Sequence, residues 1–190
     1  MKKLILMILV STSVFAQSNF KTGDVITTED KLRFLDSLNK YRIEAGVPAL
    51  EYSFQEDSLA RLRVSTIFRH IDSIGDQEWK KNIPEAQHYR FFEDIEQYDK
   101  INVHPDTVLS WQGECTARLS KLHNIKDLVD ELFHGWKNSK EHWKIMLDPR
   151  FNYIVLDWFI DNQRHIRLQK GYFAALVLFS KDINHKKRGL

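Results

Sequence analysis

An α+β domain, with helices first and a β-hairpin last, is what this sequence predicts. Three observations carry that expectation. Apolar residues recur at helical spacing at Leu32, Leu35, Leu38 and Tyr41. They do so again at Ile125, Leu128, Val129, Leu132, Phe133 and Trp136, which fall on one stripe of a helix. Near the end, Phe151 to Ile160 and Gly171 to Ser180 are rich in β-branched and aromatic residues, and Asp161-Asn162-Gln163 between them is a turn signal. Two such runs pair antiparallel.

The elements follow in order. Met1-Lys2-Lys3, an apolar run from Leu4 to Val10 and small residues up to Ala16 predict a secretory signal over residues 1–16. The run is too short to cross a bilayer, which takes roughly 20 residues. Residues 17–28 form a polar leader. Thr27-Thr28-Glu29-Asp30 offers an N-cap followed by first-turn acids, and Gly46 with Pro48 stops that helix. A second helix runs from Asp57 to Phe68 on Leu59, Ala60, Val64, Ile67 and Phe68, with His70 just past its end as a C-terminal cap. Asp72 to Ser110 is irregular but aromatic, with Trp79, His88, Tyr89, Phe91, Phe92 and Tyr98, and reads as short helices packed on the core or over a cleft. Asn124 caps the clearest helix. Ser139 caps a short one that carries His142 at its third position, and Pro149 ends it. The tail, residues 181–190, holds Lys186-Lys187-Arg188 and is expected to be solvated.

Charge and cysteine exclude several classes. The 190 residues carry a net charge of +2, and Lys2 and Lys3 account for it. Without the signal the acids and bases balance, and no basic stripe interleaves with aromatics, which argues against nucleic acid. No later stretch is apolar for long enough to span a membrane. Cys115 is the only cysteine and makes no internal disulfide. It is expected to be buried and inert.

Four segments in order carry a resemblance: Leu38-Asn39-Lys40-Tyr41-Arg42 with Gly46-Val47-Pro48-Ala49-Leu50; Phe68-Arg69-His70; Gly113-Glu114-Cys115; and Trp136-Lys137-Asn138-Ser139-Lys140-Glu141-His142. Together they resemble the CAP superfamily, or SCP domain, in its bacterial exported branch, over residues 29–180. The resemblance implies a three-layer α-β-α sandwich with a small central antiparallel sheet. It also implies a cleft in which His70, Glu114 and His142 match three of the family's four histidine and glutamate positions. Ser139 stands at the fourth, where the bacterial branch commonly has serine. Cys115 replaces the asparagine that usually follows the glycine–glutamate pair, and the strand after His142 lacks the family's usual glycine.

Two imidazoles and a carboxylate suit zinc or another divalent cation, with His70 and His142 as ligands and Glu114 as a third ligand or an outer hydrogen-bond partner. No catalytic residue follows from this pattern alone, and the expected function is an exported, non-catalytic binding or interaction module, periplasmic or secreted. A metal-dependent hydrolase using Glu114 as base is the alternative. A lipid or sterol carrier, with the Trp79–Tyr98 aromatics walling a groove, is a second.

Overall fold

The structure, a computed structural model, describes residues 26–74, 88–103, 107–119, 127–161 and 171–183. The signal and most of the leader, Trp79, Asn124 and the basic cluster of the tail lie outside these residues. In chain order the elements are α1 (Thr28–Glu44), β1 (Glu51–Tyr52), a 3-10 turn (Phe54–Glu56), α2 (Asp57–Ile74), α3 (Phe91–Asn102), β2 (Thr107–Leu119), α4 (Leu128–Asn138), α5 (Lys140–Met146), β3 (Tyr153–Asp161) and β4 (Gly171–Ile183).

The sheet runs β1-β3-β4-β2. The hairpin is present, with β3 and β4 antiparallel, and β2 lies antiparallel on the far side of β4. The expected wholly antiparallel sheet is corrected at one edge, where two-residue β1 pairs parallel with β3. Strand alternation builds two cores. Ile154, Leu156, Trp158, Ile160, Ala174, Leu176 and Leu178 pack with Phe34, Leu38, Leu132 and Trp136 of α1 and α4. Val155, Val177 and Phe179 pack with α2 and α3, as Phe173 and Ala175 do with α2. The result is the predicted sandwich: α1, α4 and α5 on one face, α2 and α3 on the other.

Local chemistry explains the element ends. Thr27 and Asp30 close a capping box on α1. The inner face of α1 is turned from the predicted one, because Phe34 joins Leu35 and Leu38 inside while Leu32 is 39% exposed. Gly46 takes φ +73°, where a side chain would be strained. Asn39 then holds both backbone groups of Leu50, accepting from its N–H at 2.8 Å and donating to its carbonyl at 2.9 Å. Arg42, fully buried, donates to the carbonyls of Pro48, Met146, Asp148 and Phe151. One guanidinium thus ties α1 to the turns around α5.

Three boundaries differ from expectation. Asp127 caps α4, accepting from Val129 and Asp130 N–H. Strand β4 continues to Ile183, and Lys181 pairs with buried Glu56 at 2.6 Å, so the ordered domain passes Ser180. The third is β2, thirteen residues that begin inside the stretch read as irregular and that no sequence pattern marks as a strand. Its register against β4 slips by one between Ser110 and Gly113, a bulge that leaves Trp111 at φ +45°. Ser110, Gly113 and the lone buried acid Glu114 hide its alternation in the sequence.

Gly113 sets how closely β2 approaches α5. A Cβ there would sit 2.9 Å from Ile145 Cγ2 and from Phe151 Cζ. Gly113→Ala should therefore destabilise by about 1–3 kcal/mol through overpacking, read as a lowered urea midpoint with an unchanged slope.

Candidate functional site

The site is built at the outer strand of the sheet. Glu114 and Cys115 are neighbours on β2 and point to opposite layers. Cys115 opposes Leu176 and is fully buried against α4 and α5. Burial first, and then the Glu114 charge, push its thiol pKa well up, so it is an inert packing residue. Glu114 opposes Val177, on the α2 and α3 side.

Glu114 is 2% exposed, and its charge is answered by Arg63 of α2, which is fully buried. Arg63 Nε donates to Glu114 Oε1 at 2.7 Å, and Nη2 reaches Oε2 at 3.3 Å. Arg63 Nη1 pairs with Asp94 of α3, and Nη2 also donates to the Tyr89 carbonyl at 3.0 Å. One guanidinium therefore joins α2, α3, β2 and the turn before α3. Two carboxylates face it. Arg90, at 4.0 Å from Asp94 and at φ +55° in that same turn, adds a second positive charge at the rim.

The turn supplies His88, whose Nδ1 lies 2.9 Å from Glu114 Oε2. A carboxylate accepts only, so Nδ1 carries the proton and Nε2 is the acceptor when the ring is neutral. His142 comes from the opposite layer, in the first turn of α5. Its Nδ1 is buried without a hydrogen-bond partner, and its ring lies edge-on to Trp136, centroids 6.4 Å apart. Burial lowers its pKa, and the charge of His88 lowers it further against Glu141.

The sequence-predicted residues thus divide. Glu114 and His142 sit as just described. His70 does not end a helix: α2 continues to Ile74, and His70 is inside it. Its ring stacks on Tyr89, centroids 3.9 Å apart and planes 7° from parallel. Among the described residues no contact joins His70 to Glu114 or His142, and the histidine that Glu114 holds is His88. Ser139 caps α5 through its backbone, its carbonyl accepting from Trp143 N–H at 2.8 Å, but its hydroxyl makes no capping bond.

Arg63 and His88 are members of this buried network that the sequence does not single out by type. Arg63 has a signal. It falls on the apolar stripe of α2 between Ala60 and Ile67, and a charge there requires a buried partner. His88 stands in the irregular stretch, with no periodicity to place it.

The donor set fits a divalent metal poorly. Glu114 is already neutralised by a guanidinium, which leaves two imidazoles where zinc sites use three or four protein ligands. Among the described residues no group of three His, Cys, Asp or Glu side chains is placed to hold a metal ion. A separate cavity of about 410 Å³, lined by Ser65, Phe68, Arg69 and Phe159, lies against another face of α2.

The family model for CAP, the cysteine-rich secretory protein family, matches residues 35–154. No curated protein matches the chain. An outer surface protein from Borrelia burgdorferi shares the fold, with a TM-score of 0.52 at 14% identity over 84% of this chain and 99% of that one. A cysteine-rich secretory protein from Staphylococcus aureus (14% identity) and an extracellular SCP-domain protein from Bacillus anthracis (18%) each align over 80% of this chain, with TM-scores of 0.44. This chain spans 40% and 44% of those two proteins.

Arg63→Leu should destabilise by about 3–5 kcal/mol, because it leaves two buried carboxylates, Glu114 and Asp94, without the guanidinium between them. Arg63→Lys should recover little of the loss, since an ammonium cannot span both acids and the Tyr89 carbonyl. Chemical denaturation of the three proteins measures both effects.

His142 also makes stability depend on pH. Above its ordinary pKa of 6.5 the ring is neutral folded and unfolded. As pH falls below that value the unfolded chain takes the proton first, so stability drops until the lowered folded pKa is passed. Burial lowers the pKa of His70 as well, and it acts in the same window. The urea midpoint should fall between about pH 7.5 and pH 5, and His142→Asn should shrink that fall.

Proposed function

This chain belongs to the cysteine-rich secretory protein (CAP) family, and from that membership and the geometry above we propose that it is an exported, non-catalytic binding domain. Its cleft, between His88 and His142, takes a small polar ligand. The observation that carries this reading is the commitment of Glu114. Both carboxylate oxygens are held by Arg63, and one also by His88, so the residue best suited to act as a general base serves to orient an imidazole. The His142 ring, its pKa lowered by burial, then offers hydrogen-bonding nitrogens rather than charge. Export is supported by the basic start and short apolar run of residues 1–16, and no described helix is long and apolar enough to cross a membrane. The relative sharing the fold is itself an outer surface protein.

A lipid or sterol carrier is favoured by one feature, the cavity walled by Phe68 and Phe159. Of the aromatics expected to wall a groove, Phe91 and Tyr98 instead pack into the core beneath α2.

The test is a panel of peptide and ester substrates offered to the metal-stripped and zinc-supplemented protein, with zinc calorimetry beside His88→Ala and His142→Ala. The binding-domain reading expects no turnover in either state and only weak zinc heats. Hydrolysis abolished by Glu114→Gln, or stoichiometric zinc lost in both histidine variants, overturns it in favour of a metal-dependent hydrolase. Saturable uptake of a fluorescent sterol instead supports the carrier.

A further inference from the structure

Trp111 is unlike the other described tryptophans in its setting. Trp136 and Trp158 are core residues and Trp143 packs partly buried against the core, whereas Trp111 is 56% exposed. It occupies the bulge of β2 at φ +45°, a conformation bulky residues rarely adopt, and bulges re-aim side chains beside functional sites. The Arg150 guanidinium carbon lies 4.7 Å from its ring centroid. Arg150 is fixed in turn by Asp148 Oδ1 at 2.9 Å from Nε and Oδ2 at 2.5 Å from Nη2. The indole is therefore backed by a fixed cation and leaves most of its surface in water. Gln112 uses its amide nitrogen on the Leu109 carbonyl, which leaves its side-chain oxygen as an acceptor.

The chemistry selects the ligand. A cation already sits by the ring, and its charge repels a second one. One indole with a charged rim offers too little apolar area for a protein interface. A neutral ring with an apolar C–H face and hydroxyls at its edge satisfies both parts, since the C–H groups meet the electron-rich indole face and the hydroxyls meet Asp148, Arg150 and Gln112. From this we infer that Trp111 is a stacking platform for a pyranose ring, so that this end of β2 binds a neutral oligosaccharide. The site is distinct from the histidine cleft and does not depend on it.

The experiment titrates the full chain with tetrasaccharides of N-acetylglucosamine and of glucose, followed by tryptophan emission and calorimetry. Saturable binding with a blue shift is expected for at least one sugar. Trp111→Ala should weaken it about tenfold or more, the scale of one lost aromatic stack. Trp111→Phe should retain most of it, and Trp111→Gly, which suits the positive φ, should lose it without lowering the melting temperature. Absence of binding to either sugar overturns the inference, and so does wild-type affinity in Trp111→Ala. Binding lost in His142→Asn but kept in Trp111→Ala also overturns it, by placing the sugar in the histidine cleft.

Discussion

Arg63 governs the geometry of the site. A guanidinium with no solvent exposure is costly to bury, and this one is tolerated because each of its edges meets an oxygen of Glu114, Asp94 or Tyr89. Those oxygens come from a strand, a helix and a turn, so α3 and the turn before it cannot move independently of β2. His88 is placed by the same charge network, through Glu114. The network specifies one arrangement rather than adding much net stability, since desolvation offsets most of the Coulomb gain of a buried pair.

The sheet edge matters next. On the outer strand Glu114 holds His88 on one side of the sheet, while His142 stands on the helix α5 of the opposite layer. Gly113 lets β2 lie against Ile145 and Phe151, next to the helix that bears His142. The same bulged stretch turns Trp111 outward. Packing and display are thus settled within a few residues of one strand.

Much of the family resemblance rests on structural pins. Asn39 clamps Leu50, Arg42 gathers four carbonyls, and Trp136 Nε1 donates to the Thr116 carbonyl at 3.0 Å. These are buried or part-buried polar groups whose partners are supplied by the fold. They identify the architecture well and locate a ligand poorly. For that reason His70, close in sequence to a recognisable helix, is the natural choice of first histidine from sequence, while the structure joins His88 to Glu114.

Features that depend on local pattern are legible in the residues alone: the amphipathic stripes of α2 and α4, the antiparallel pairing of β3 with β4, the breaks at Gly46 and Ser139, and the burial of Cys115. The family is legible too, through residues spaced closely along the chain. Strand β2 is not, and its existence emerges only from the folded chain, because a bulge and small residues break its period of two. The same holds for which carboxylates Arg63 meets, and which histidine follows. Those pairings join positions 31 and 51 residues apart, and a buried charge announces that it needs a partner without saying where along the chain that partner lies.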